Sequence, residues 1–387
     1  MNWKQYVDKD QMVAWRRHLH KYPEVSYQEK ETSAYIVKAL EQMEGIEILR
    51  PADTSVVGIL KGAKPGKVVG IRADIDALPI QEQADVEYKS VHDGVMHACG
   101  HDFHTATLLG AASVLSKIRH QLCGTVKFIF QAAEEQFPGG AQAIVDSGAV
   151  SDCDYFIGAH VLAKLKTGLI SCWPGTATAS PDKFLIHVTG TGSHGAAPEA
   201  SIDVVTVAAH IVTNLNSIVS RNISPYDNAV VSVTRFIADS SLNILGPKVE
   251  LGGTIRTMDE GVRAFIHKRL EEIVSGICQA YGATYQIEMM KGYAPIINDE
   301  YVTRIVQETA KELYGEDVLV RPRTLMAGDD FSAFGQIAPT AFFLIGSGSE
   351  EEGYEYLVHN PKFIANEDIL PIGAEMFVAC ALKLLES

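Results

Sequence analysis

The chain lacks any long apolar run. No stretch approaches the roughly 18 consecutive apolar residues that mark a membrane-spanning helix, so no membrane span is expected. The opening residues, Met1-Asn2-Trp3-Lys4-Gln5, are polar and carry no signal-peptide apolar stretch. Cysteine is scarce and scattered: Cys99, Cys123, Cys153, Cys172, Cys278 and Cys380 show no paired spacing. That argues against a disulfide framework and for reduced thiols in a cytoplasm. Basic residues are in deficit, 33 Lys and Arg against 48 Asp and Glu, for a formal net charge of −15. Nucleic-acid binding needs a basic footprint, so that class is excluded. No internal repeat and no low-complexity segment is present.

What is present is an ordinary globular composition, 47% hydrophobic and 21% charged, over 387 residues. A chain of that length exceeds the size at which one core keeps growing, so two domains are expected. Periodicity predicts helices over 11–20 and 28–44, then β-rich runs at 55–60 and 67–72. The second run is apolar enough for a buried central strand and ends in Asp74-Ile75-Asp76. A helix is expected over 105–118, a strand over 125–130 ending at Glu134-Glu135, a short helix to Asp146, and a strand over 154–158 ending at His160. Three apolar strands thus deliver polar groups just past their carboxyl ends, where sites lie in open α/β sheets.

After a small, Gly/Ala/Thr-rich stretch over 174–181 the pattern changes to strand, helix, strand, strand, helix, strand. That βαββαβ order is the ferredoxin-like arrangement. Residues 179–290 are read as a unit inserted into a domain made of 1–178 and 291–387. The returning segment is predicted to hold helices over 298–314 and 366–385 and a strand over 341–345, with polar loops at Met326–Phe331 and Val358–Pro361.

The chemistry gathers around Met96-His97-Ala98-Cys99-Gly100-His101-Asp102-Phe103-His104. Cysteine and imidazole are ligands that first-row divalent metals prefer. With Asp74, Asp76, Glu134, Glu135, His160 and His359 they make a set large enough for two metal ions. Two ions about 3.5–4 Å apart need a bridging ligand, which a thiolate or a carboxylate can supply. Adjacent glutamates in non-helical backbone diverge, so one can bind metal while the other serves as general base.

These residues carry a resemblance to the two-metal amidohydrolases that include aminoacylase, hippurate hydrolase and indole-acetyl-amino-acid hydrolase. The matching segments are Arg72-Ala73-Asp74-Ile75-Asp76-Ala77-Leu78-Pro79, His97–Asp102, Ala133-Glu134-Glu135, Gly158-Ala159-His160, Gly253-Thr254-Ile255-Arg256 and His359-Asn360-Pro361-Lys362-Phe363. They follow Arg17–Glu24 in family order, so the resemblance spans essentially the whole chain. It implies an α/β fold: a mixed-sheet, di-metal aminopeptidase-like catalytic domain with an inserted α+β ferredoxin-like lid and dimerisation domain. It implies two divalent ions per subunit, manganese or zinc. Cys99 would bridge them, His101 and His160 would complete one site, and Glu135 and His359 the other. Glu134 would be the general base, and Asp76 would orient a ligand from behind. His194, in the inserted domain, would stabilise the oxyanion, often from the partner subunit, and Asn243 and Arg256 would hold a substrate carboxylate. His97 and His104 are not carried over as ligands, and ordinary roles are expected for both.

Three segments depart from the family pattern, Ile237-Ala238-Asp239, Asn243–Pro247 and Gly328-Asp329-Asp330-Phe331, and all three are read as lying on the substrate side. The implied reaction is hydrolysis of the amide of an N-acyl amino acid by a cytoplasmic homodimer. The rivals are a dipeptidase or carboxypeptidase with the same metal centre, a thiol amidase with Cys99 as nucleophile, and a non-catalytic binding protein.

Overall fold

The structure, a computed structural model, describes residues 2–321 and 326–387. The chain divides into two compact units: the described residues of Met1–Ala177, Ile296–Arg323 and Asp330–Ser387, and those of Thr178–Pro295 with Thr324–Asp329.

The first unit opens with α1 (Lys9–Lys21) and α2 (Lys30–Glu41). Asp8 caps α1 by accepting from the Gln11 amide. Then come β1 (Ile46–Leu49), β2 (Val56–Lys61), β3 (Lys64–Asp74), α3 (His101–Lys117), β4 (Cys123–Gln131), α4 (Ala141–Asp146) and β5 (Tyr155–Leu162). The short strands β6 (Ile170–Ser171) and β7 (Gly175–Thr176) lead to the second unit.

That unit consists of β8 (Ser180–Thr189), β9 (Ser193–His194), α5 (Val204–Ser217), β10 (Ala229–Ala238), β11 (Ile244–Leu245), β12 (Lys248–Thr257), α6 (Glu260–Tyr281) and β13 (Thr284–Met290). The chain returns through β14 (Ile297–Asn298), which pairs with β7, and ends with α7 (Glu300–Tyr314), β15 (Thr340–Gly346) and α8 (Ile369–Leu385).

The sheet of the first unit runs β1-β2-β4-β3-β5-β15-β6. Its four middle strands are parallel, and antiparallel strands close both edges. β3 and β5 read as near-continuous apolar runs because both faces are covered. On one face α3 and α8 bury Leu108, Leu109, Ala112, Met376, Phe377 and Ala381. On the other, Ile144 of α4 and the turn bearing Phe331 and Phe334 pack on Ile129, Phe156 and Phe342. The unit's chemistry lies at the carboxyl ends of β3, β4 and β5, beside the strand-order reversal.

In the second unit the strand order is β10-β12-β8-β13, all antiparallel. In order of appearance that is 2-3-1-4, the ferredoxin-like sheet. α5 and α6 cover one face through Val207, Ile211, Leu215, Ile266, Leu270 and Val274. Asp203 and Asp259 cap their amino ends. Asp182 ties this unit's entry to its exit: it accepts from Arg263 at 2.8 and 2.5 Å and from the Gly292 amide at 2.8 Å.

Several expectations change. Residues 326–329, placed by sequence with the returning segment, cluster with the second unit. The reason is local: the Ala179 amide donates to the Ala327 carbonyl at 2.8 Å, and a side chain at Gly328 would strike Pro181. The expected helix over 105–118 begins four residues earlier, so His101 and His104 occupy its first turn. β5 runs past His160, which therefore lies within the strand. α5 ends at Ser217, and Ile218–Asn222 form a π-helical turn after it. β1 was not anticipated: the sequence reading assigned no element between the helix over 28–44 and the β-rich run at 55–60.

Candidate metal centre

Gly100 sits between the two donors of the Cys99-Gly100-His101 motif at φ 90°, in the left-handed region. A Cβ there would also lie 2.5 Å from Val161 Cγ2. Glycine therefore lets the chain turn from an extended segment directly into α3, so that Cys99 and His101 face one point.

Two donor triads share that cysteine. Cys99, His101 and His160 each offer an atom within 4.8 Å of the others, and so do Cys99, Glu135 and His359. The Cys99 Sγ lies 3.4 Å from His160 Nε2 and 3.3 Å from His359 Nε2, and Glu135 Oε1 lies 3.1 Å from His359 Nε2. The five residues that sequence nominated as ligands thus come together.

The imidazoles are pre-set for metal. His101 Nδ1 donates to the Asp76 carbonyl at 3.0 Å and to Asp76 Oδ1 at 3.1 Å, and His160 Nδ1 donates to the Val161 carbonyl at 2.7 Å. Each bond fixes the tautomer and leaves Nε2 as the free donor. His101 Nε2 is buried with no hydrogen-bond partner. That nitrogen lies 3.7 Å from Asp74 Oδ2, 3.9 Å from Glu135 Oε1 and 4.0 Å from Glu134 Oε2, surroundings that suit a ligand to a cation.

The electrostatics agree. Burial opposes charge on His101, but Asp74 and Asp76 outweigh it and raise its pKa to about 10. Burial, then Glu135 and Glu134, push the Cys99 thiol well above its ordinary value. Both groups hold protons that a divalent cation would displace. The donor set therefore fits two divalent ions with Cys99 common to both.

Asp76 lies behind these donors and holds more than one of them. Its Oδ2 also accepts from the Glu135 amide at 3.0 Å and from Ser26 Oγ at 2.6 Å, so one carboxylate holds a member of each triad. Burial raises its pKa, but the bonds to His101 outweigh that and lower it. Glu134 is 8% exposed, with Oε2 4.0 Å from His101 Nε2. The turn before it is strained: Ala133 has φ 55°. Glu29 accepts from the Ala133 amide at 2.8 Å and Ser55 Oγ from the Ala132 amide at 3.0 Å, and these bonds hold that turn.

Sequence reasoning missed three contributors. His104 Nε2 accepts from the Val161 amide at 3.0 Å, so its Nδ1 carries the proton given to Asp74 Oδ1 at 2.6 Å. It is a brace for Asp74, not a residue of ordinary role. Asp330, read as lying on the substrate side, is buried and belongs to a network beneath the site. Arg72 donates to Asp74 at 2.8 Å, to Gln131 at 2.8 Å and to Asp330 at 3.1 Å, and Gln131 donates to Asp330 at 2.7 Å. Glu29 gave no signal in the sequence. His97 is buried with both ring nitrogens unpartnered, and burial lowers it to about 4, so it packs as a neutral ring.

His194, Asn243 and Arg256 belong to the second unit. β9 and β11 set Ile244 opposite His194, and the Gly195 amide donates to the Asn243 carbonyl at 2.8 Å. His194 and Asn243 are exposed. His194 Nδ1 accepts from the Ala196 amide at 3.1 Å, which leaves Nε2–H as a free donor. Arg256, half-buried on β12, has its pKa lowered by burial, with Asp182 opposing.

The chain resembles proteins of known class along its whole length. It is 46% identical over 297 residues to an N-acyl-L-amino acid amidohydrolase of Geobacillus stearothermophilus, covering 76% of this chain and 80% of that one. It is 38% identical over 379 residues to thermostable carboxypeptidase 1 of Saccharolobus solfataricus, covering 97% and 95%. Among solved structures, a dinuclear metal-binding peptidase of the M20 family from Bacillus subtilis superimposes with a TM-score of 0.85 at 34% identity, over 98% of both chains. The model of peptidase family M20/M25/M40 matches residues 70–383, and the chain belongs to that family.

Proposed function

We propose that this protein hydrolyses the amide bond of N-acyl amino acids, releasing a carboxylic acid and the free amino acid. The observation that carries the reading is the pair of donor triads meeting at Cys99, with Glu134 beside them and outside both. Two divalent ions, manganese or zinc, would be held by Cys99, His101 and His160 and by Cys99, Glu135 and His359. Bound there, they would polarise the amide carbonyl and acidify a water.

The chain's own groups do the rest. Glu134 takes the proton of the attacking water and passes it to the leaving nitrogen. Asp76 keeps the His101 and Glu135 donors aimed at one point. His194 directs its Nε2–H at the developing oxyanion. Arg256, with Asn243, receives the substrate carboxylate, and its planar fork suits that bidentate partner.

The carboxypeptidase relative supports a second reading on the same centre. The two readings share a cleavage: both break the amide on the nitrogen of an amino acid whose carboxylate is free. They differ only in whether a small acyl group or a peptide occupies the other side. Initial rates on N-acetyl and N-benzoyl amino acids against dipeptides, each with added manganese or zinc, separate them. Faster turnover of dipeptides would overturn the N-acyl assignment. Full activity after exhaustive dialysis against a chelator would overturn both and leave Cys99 as a nucleophile.

We further propose a cytoplasmic homodimer formed through the second unit. β10 is an edge strand of its sheet, and Phe236 and Ile237 on it are 44% and 48% exposed. An apolar open edge is a template for pairing with a second copy. Among the described residues no helix is long and apolar enough to cross a membrane.

A further inference from the structure

α1 contributes no donor to either triad, yet it carries one of the largest fully buried side chains of the molecule. Arg16 is 1% exposed. Its guanidinium lies between the rings of Tyr88 and Phe103, 4.3 Å from each. Its Nε donates to Asp102 at 2.8 Å, and its NH1 donates to Glu367 at 3.3 Å.

Those two carboxylates belong to different ligand-bearing segments. Asp102 follows His101 directly. Glu367 lies in the segment that leaves His359 for α8, and Arg17 reinforces it with bonds of 2.9 and 2.7 Å. The same segments touch again where the His359 amide donates to the Ala98 carbonyl at 2.7 Å. One arginine thus joins the Cys99–His101 stretch to the His359 stretch, 351 residues away from Glu367 along the chain.

The geometry points to Arg16 as a positioning residue for the metal ion held by Cys99, Glu135 and His359. This inference rests on the two-metal reading above. The two triads differ in how their histidines are fixed. His101 and His160 are each locked through Nδ1 to Asp76 or to the Val161 carbonyl. The His359 side chain is 50% exposed and sits on backbone at φ 65°. A non-glycine residue in that conformation persists only when its surroundings impose it. What imposes it is the course of its segment, and Arg16 with Glu367 anchors that course to α3. Loss of the anchor should therefore loosen the His359 donor and leave the His101–His160 pair in place.

The test is metal titration of the stripped, full-length protein by calorimetry with manganese, with the thermal midpoint of the metal-free protein measured in parallel. His359→Ala and His160→Ala first identify which ion belongs to which triad. In Arg16→Met the ion assigned to His359 should bind about 10-fold more weakly, the lower end of the effect of losing a direct partner of a ligand, because Arg16 acts through Glu367 and touches no ligand itself. The ion assigned to His160 should stay within about twofold of wild type. Glu367→Gln keeps shape and removes the anchoring charge, so it should show the same split in smaller degree, and it decides alone if Arg16→Met fails to fold. A purely structural Arg16 would shift the thermal midpoint while moving both affinities together or neither, and either result overturns the inference. A wild-type protein that binds fewer than two ions would instead overturn the two-metal reading itself.

Discussion

Glu134 and Glu135 are neighbours with different predicted work, and substituting each by glutamine separates them. Glutamine keeps the size of the side chain and removes its ability to accept a proton. Glu135 Oε1 lies 3.1 Å from His359 Nε2 and belongs to a triad with Cys99. Glu134 Oε2 lies 4.0 Å from His101 Nε2 and belongs to neither triad that includes Cys99. Glu134→Gln should therefore retain both ions while kcat falls by about 10²- to 10⁴-fold, the usual contribution of a positioned base. At 1.36 kcal/mol per decade that is about 2.7–5.5 kcal/mol of barrier. Glu135→Gln should lose one ion on dialysis, and added metal should restore part of its rate. The assay pairs amino-acid release from an N-acetyl amino acid with metal content by mass spectrometry. Turnover of Glu134→Gln within tenfold of wild type, or equal loss of metal in both variants, would refute this division of labour.

Three further outcomes follow from the geometry. Arg72→Met leaves Asp74 and Asp330 buried without their guanidinium partner. Breaking such a pair costs about 3–5 kcal/mol, or a fall of roughly 6–20 °C in the thermal midpoint for a unit of this size; a shift under about 2 °C would contradict the network. In the second unit, burial raises Asp182, but His267 and Arg263 outweigh it and hold it at about 2. A carboxylate depressed on folding contributes stability above its unfolded value, near 4, and that contribution is lost as pH falls toward 2. Urea denaturation should therefore show this unit weakening between about pH 4 and 2, and Asp182→Asn should be weaker at pH 6 with a flatter profile across that window. Ile237→Lys places a charge on the open edge of β10 and should convert the proposed dimer to a monomer in sedimentation experiments; a dimer unchanged by it would move the interface elsewhere, and a monomeric wild type would overturn the proposal.

The donor triads were legible in the sequence partly because Cys99 and His101 are two residues apart and Glu135 follows the apolar strand β4. The resemblance supplied the rest, since His160 lies inside β5 and His359 in a polar loop. The inserted unit was legible because its element order is itself a signature. The braces were not, because each joins residues far apart whose types are ambiguous alone. Arg72 and Asp330 are 258 positions apart. Asp330 in a polar loop reads as a substrate contact until the fold buries it against Gln131. His104 was given an ordinary role because the resemblance did not carry it over as a ligand; with α3 beginning at His101, His104 falls one turn along the same face and meets Asp74.

The pattern of braces explains why the centre is so rich in buried carboxylates. Asp74, Asp76 and Asp102 are all at most 1% exposed. Each would be costly to bury alone. Arg72 and His104 meet Asp74, Arg16 and His20 meet Asp102, and Ser26, His101 and the Glu135 amide meet Asp76. Charged and neutral donors thus satisfy the carboxylates that lie behind the candidate ligands. Their field still reaches the centre: Asp74 and Asp76 favour the proton on His101, and burial with Glu135 and Glu134 favours the one on Cys99. Divalent ions bound there would displace both protons, and the same carboxylates would then favour the bound cations. The carboxylates behind the donors would therefore do two tasks at once: fix the directions of the donors, and supply negative potential that divalent ions would meet.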